Sequence, residues 1–201
     1  AAFTSGEKFE ALLDEKEFPP NSQKRQEILE QAAALRTADI IVLNEVDWGM
    51  KRSKYRNVAA DLAAKLNMNY AFGVQFVELT PVYLSKKAET ASAEEKETAE
   101  LLKIDAERYK GLHGMAILSR FPLENVRLVP FKNQPYDWYK EELKGVSAVE
   151  KGKRKLAQIA FSENVSTEVR RGGRTTLLAD IVDSRFPSGR VSIAATHLEN
   201  R

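Results

Sequence analysis

The chain has 201 residues, 43% of them hydrophobic and 30% charged, with a formal net charge of +2. That length and composition suit one folded domain, 1–201, rather than a disordered chain, and no apolar run approaches the roughly 20 residues that cross a bilayer. Cysteine is absent, which excludes disulfides, zinc–thiolate centres and thiol nucleophiles, and two histidines are too few for a His-rich metal centre.

A divalent ion would therefore rest mainly on carboxylates, which favours hard ions such as Mg²⁺. The mild charge does not by itself demand a polyanionic partner. Ala1–Ser5 lacks the basic flank and apolar core of a signal peptide, and a Cys-free chain suits any compartment. Oligomeric state has no signal in the sequence.

In chain order, Phe9–Leu13 reads as a short apolar turn before the charged residues Asp14–Glu17 and Pro19-Pro20. Ile28, Ala32 and Leu35 recur at i, i+4 and i+7, which predicts a helix capped by Asn21 or Ser22. Asp39–Leu43 ends in a continuous aliphatic run, the pattern of a strand buried on both faces. A polar loop, Asp47–Lys54, leads to a second helix with Val58, Leu62 and Leu66 on one side. Phe72, Val74 and Phe76 alternate with Gly73 and Gln75, as in a strand. Helix, strand, helix, strand is an α/β order.

Residues 85–110 break that rhythm. From Lys86 to Glu100 they are only Ala, Glu, Lys, Thr and Ser, which predicts a charged insertion. An exposed, solvated helix or a mobile excursion is one reading of it and a substrate-side lid the other. Strands follow at Met115–Leu118, Val126–Phe131, Leu156–Phe161, Thr175–Val182 and Val191–Thr196. The Pro and Gly of Phe186-Pro187-Ser188-Gly189 predict a hairpin between the last two. Two basic clusters, 151–155 and 170–174, stand at strand entrances, as solvated loops or as phosphate contacts. Aromatic residues do not interleave with either cluster, so neither has a stacking platform.

Three side chains could carry chemistry. Glu45 follows directly on its predicted strand, where α/β sheets gather ligands and a carboxylate can hold a metal; otherwise it is a charge leaving the core for water. His197 shares the strand face of Val191, Ile193 and Ala195 at its open end. It is either a satisfied core histidine or a donor to phosphate. His113 precedes the strand that starts at Gly114, with structural and substrate-binding roles equally open. Glycine-rich phosphate loops and a Gly-x-Ser-x-Gly elbow are both missing.

Three segments together resemble the endonuclease/exonuclease/phosphatase superfamily. Asp39-Ile40-Ile41-Val42-Leu43-Asn44-Glu45 resembles the strand that ends in its metal-binding Glu. Gly111–Pro122 resembles its glycine-led strand, and Ala195-Thr196-His197-Leu198-Glu199-Asn200 the strand whose His binds the scissile phosphate. The resemblance implies a four-layer α/β/β/α sandwich of two mixed sheets flanked by helices. It further implies Mg²⁺-dependent hydrolysis of a phosphoester, with Mn²⁺ as the alternative ion. The substrate would be nucleic acid, a phosphoinositide or another phosphodiester. Glu45 would hold the metal, His197 would donate to a non-bridging oxygen, and Asn200 and His113 would bind substrate. A non-catalytic binding domain that keeps the fold is the alternative. The family's early Asn strand, its later Gly-Asp-x-Asn strand and its final Asp-His pair have no match here, and Asp180 and Asp183 do not fit them. The expectation is therefore a piece of a longer protein, inactive alone.

Overall fold

Ser22 accepts a hydrogen bond at 3.2 Å from the backbone N–H of Arg25, satisfying one of the donors a helix start leaves open. Helix α1, Gln23–Arg36, runs from that cap, with Ile28 and Ala32 buried and Leu35 packed beside them. The computed structural model describes residues 12–80, 93–101, 106–132, 148 and 170–197. The predicted strand 156–161, the basic cluster 151–155 and Asn200 lie outside those residues. The remaining elements are β1 (Ile40–Trp48), α2 (Val58–Leu66), β2 (Asn69–Leu79), α3 (Ala93–Leu101), β3 (Tyr109–Ser119), β4 (Leu123–Pro130), β5 (Arg170–Gly172), β6 (Thr175–Val182) and β7 (Arg190–Thr196).

The chain forms two compact units. The first comprises Ala1–Gln75, Leu112–Phe131 and Arg174–Arg201. In it β1 pairs antiparallel with β3, from Ile40 opposite Ser119 to Trp48 opposite Leu112, and β2 lies on the far side of β3. A second sheet has the order β4–β6–β7, also antiparallel. The two faces of β3 show how these parts stack. Ala116 and Leu118 belong to one core cluster with Ile28, Leu62 and Leu66 of the helices. Met115 and Ile117 belong to another with Leu177, Ala179 and Ala195 of the second sheet. Helices, sheet and sheet are thus three of the four expected layers, and the α/β architecture is as expected.

Period-2 alternation decides this packing, since successive side chains leave a strand on opposite faces. Each fully buried Leu, Ile or Met contributes roughly 1.5–3 kcal/mol. Residues 115–118 of β3 are completely buried. The strand expected to be covered on both faces was β1. It is covered on the helix side through Ile41 and Leu43, while Val42 is 46% exposed. The reason is position: β3 is central, whereas β1 stands at the edge of the described sheet. The predicted hairpin forms, with Val182 opposite Arg190 and Gly189 at φ 69, in the left-handed region that glycine tolerates.

The second unit comprises Phe76–Gly111 and Lys132–Gly173. Within residues 85–110, α3 spans Ala93–Leu101 and β3 begins at Tyr109. For a basic cluster such as 170–174 a solvated loop is the default expectation. Instead Arg170–Gly172 is a strand paired with Phe76–Glu78, and the Arg170 Nε donates to Glu78 at 2.7 Å. Its guanidinium also lies 4.9 Å from the Phe76 ring centroid, a cation–π geometry. Among the described residues no helix is long and apolar enough to cross a membrane.

Candidate phosphoester site

Glu45 does not end its strand. β1 continues to Trp48, and Glu45 sits inside it with φ 58, a left-handed value that non-glycine residues rarely adopt. The register explains why. Leu43 faces Ala116 and Val46 faces Gly114, so Asn44 and Glu45 together oppose the single residue Met115. This is a β-bulge, which inserts one residue, breaks the ladder and re-aims side chains. Met115 belongs to the core between the sheets, so the bulge lies opposite an inter-sheet residue.

His197 reaches the same region from the other sheet. Ala195, two residues before it, is buried in the core that holds Met115. Continuing that alternation carries the imidazole along the inner face to the strand's end. Its Nε2 stands 3.6 Å from Glu45 Oε1, at ion-pair range rather than hydrogen-bond range. The two side chains are 27% and 33% exposed, so solvent and a ligand can both reach them.

Each partner has an orphaned polar neighbour. Asn44 Oδ1, beside Glu45, is buried without a hydrogen-bond partner among the described residues. So is Thr175 Oγ1, on the residue whose carbonyl accepts from Thr196, directly before His197. A buried group left unsatisfied costs about 1–3 kcal/mol, which marks a place where something other than packing has set the residue.

His113 lies apart from that pair in its bonding. Asp47 has no exposed surface, and its carboxylate accepts from Arg52 Nε at 2.6 Å and Arg52 Nη2 at 2.7 Å. His113 Nδ1 is 2.7 Å from Asp47 Oδ1. An ionised carboxylate only accepts, so Nδ1 carries its proton toward Asp47. Burial pushes the Asp47 carboxyl up, but the Arg52 and His113 hydrogen bonds outweigh it and hold the group below its ordinary value. Asp47 was expected to open a polar loop, and sequence reasoning missed it. The available signal was Val46-Asp47-Trp48, whose alternation continues the strand.

Among the described residues no group of three or more His, Cys, Asp or Glu could hold a metal ion. The Glu45 carboxylate offers hard oxygens, 33% exposed with its side chain. A carboxylate suits an ion such as Mg²⁺, which keeps several waters and binds through one or two carboxylates plus substrate phosphate.

The model of the "Endonuclease/Exonuclease/phosphatase family" matches residues 14–189. No curated protein matches the chain. Among solved structures, an endonuclease/exonuclease/phosphatase from Beutenbergia cavernae DSM 12333 is 19% identical with a TM-score of 0.45, and the match covers 84% of this chain and 32% of that one. The chain thus spans about a third of that protein's length. Because the family match extends over most of its residues, this chain belongs to the endonuclease/exonuclease/phosphatase family, a group of phosphoesterases and nucleases whose members commonly use divalent metals.

Proposed function

We propose that this chain carries part of the centre of a metal-dependent phosphodiester hydrolase that works by in-line attack of water. The observation that carries the reading is the 3.6 Å approach of His197 to Glu45, from two different sheets, at a bulge. Glu45 would hold Mg²⁺, which supplies Lewis-acid stabilisation of charge on the phosphoryl group. A left-handed residue inside a strand is held there by its surroundings, so the carboxylate arrives with its base fixed. His197 would donate to a non-bridging oxygen as negative charge grows on it. His113, oriented by Asp47, and Asn200 would contact the rest of the substrate.

The test is hydrolysis of bis(p-nitrophenyl) phosphate with Mg²⁺, by the chain extended in both directions. His197→Ala should lower turnover roughly 10²–10³-fold, the cost of one transition-state donor. Glu45→Gly should abolish it while the protein stays folded, because glycine suits φ 58 better than glutamate does. Unchanged turnover in both variants would sink the assignment.

A further inference from the structure

The turn after β1 is built against the preferences of its own residues. Lys54 and Tyr55 are consecutive left-handed residues, at φ 55 and 59. Local sterics disfavour that conformation for any side chain, least for Gly and Asn. The chain does place an asparagine, Asn67, at the left-handed C-cap of α2. Here it places a lysine and a tyrosine.

The surroundings hold this turn tightly. Gly49 N–H donates to Arg56 O at 2.9 Å, Tyr55 N–H to Met50 O at 2.9 Å and Arg56 N–H to Ser53 O at 3.1 Å. Buried Ser53 donates its hydroxyl to Met50 O at 2.9 Å. Lys54 Nζ is 2.7 Å from Asp14 and 2.6 Å from Glu17, and Arg56 Nη2 is 2.8 Å from Asp14. The outcome is a ring on a fixed backbone that stands 61% exposed at Tyr55. Its burial in this fold therefore explains neither its identity nor its strained backbone.

Two further cations, besides Lys54 and Arg56, share the turn. Lys51 is exposed, and the Arg52 side chain is 42% exposed while Asp47 fixes its guanidinium. Residues 49–56 contain four basic side chains and no acidic one. Unlike the two clusters downstream, this one has an aromatic residue within it.

We propose that residues 49–56 form a stacking subsite for an unpaired nucleobase, with Tyr55 against the base and Lys51 and Arg52 toward the adjoining phosphates. A preset ring loses little freedom when a base stacks on it, and every base offers a π-face. Lysine and arginine beside it supply the sequence-independent attraction to the backbone. A lipid surface fits less well. Met50 and Ser53 point inward, so the turn offers a bilayer one phenol ring and no exposed aliphatic chain. The inference deepens the phosphodiesterase reading and takes its substrate class from this turn, yet it is testable without turnover.

The experiment is fluorescence anisotropy of a labelled oligothymidylate in EDTA, beside the same strand with abasic sites and beside phosphatidylserine vesicles. Tyr55→Gly should weaken the thymidine strand roughly 5- to 150-fold, the range for losing one stacked base. It should leave abasic binding unchanged and hold or raise the melting temperature, since glycine suits the backbone. Lys51→Ala should weaken both strands alike and reduce the salt slope by about 1. Equal affinity of parent and Tyr55→Gly, equal losses on both strands, or binding of vesicles alone would each overturn the proposal. No divalent ion is present and only binding is read, so this failure leaves the hydrolase reading intact. Normal hydrolysis by the Glu45 and His197 variants would overturn that reading and leave this one standing.

Discussion

Asp47 and Arg52 form an unequal pair. The aspartate is fully enclosed, whereas the arginine side chain is 42% exposed. Truncating either breaks the same bidentate contact, yet the charge left behind meets different surroundings. In Asp47→Ala the guanidinium can turn to water, so the cost should stay near the roughly 1.5–3 kcal/mol of hydrogen bonds to a charged group. In Arg52→Ala the carboxylate remains buried with His113 as its described partner, and the cost should approach the about 3–5 kcal/mol of an uncompensated buried charge. Urea unfolding should therefore rank the half-exposed arginine above the buried aspartate, and the reverse order would refute this account. The same contrast explains what a reader of the sequence can see at this scale. The face His197 takes is legible, because Val191, Ile193 and Ala195 set the alternation. At Glu45 the apolar run shows only a charge after strand residues, and the bulge re-aims it. Asp47 is not legible, because a charged residue after a strand usually marks a loop. Its role appears only once the bulge at Asn44-Glu45 puts strand, rather than loop, beyond it.

Among the elements, β3 carries the strictest steric requirement. A Cβ built on Gly114 would lie 2.0 Å from the carbonyl oxygen of Gly73, a backbone atom that cannot turn aside. A Cβ on Gly73 would meet the Leu128 Cδ1 at 2.9 Å, the far end of a flexible side chain, and Leu177 Cβ at 3.2 Å. Overpacking in a core costs about 1–3 kcal/mol. Gly114→Ala should reach or exceed the top of that range, and Gly73→Ala should stay near its bottom. Thermal unfolding of the two variants checks the ranking, and equal losses would show that the sheet can spread at Gly114. The small residues at the head of this strand were legible as a site of close approach, and the approaching group is the neighbouring strand. Helices α1 and α2 were legible because capping and periodicity are local: Ser22 caps the first, and Val58, Leu62 and Leu66 of the second are buried, while the Asn57 cap was not read. Burial of β1 on both faces was misjudged, since an aliphatic run records apolarity and not which strand lies beside it. Arg170 was misjudged for the same reason. Its partner Glu78 is distant in sequence, so no local pattern announces a strand there.

At the scale of the whole molecule, stability should depend on pH through carboxylates that are tied to cations. Asp14 joins the segment before α1 to the turn after β1 by pairing with Lys54 and Arg56. Burial pushes its carboxyl up, but the Arg56 and Lys54 hydrogen bonds outweigh that and hold it below the ordinary 3.8. Asp47 is held down in the same way by Arg52 and His113. A carboxyl whose folded value is depressed binds fewer protons folded than unfolded, so stability rises with pH across the interval between the two values. The contribution is complete above the unfolded value, near pH 4, and is lost as pH falls through the folded one. Urea midpoints should therefore be level from neutrality to about pH 5 and fall below about pH 4. Asp14→Asn should be less stable than the parent at pH 7 and should lose less between pH 7 and pH 3. Salt separates the two groups. Lys54 is half exposed, and at 1 M the screening length is only about 3 Å, so the difference between parent and Asp14→Asn should shrink there. The Asp47 contribution, enclosed in the fold, should persist. An acid limb of equal depth in the parent and in Asp14→Asn would mean that the turn is held in place without this ion pair.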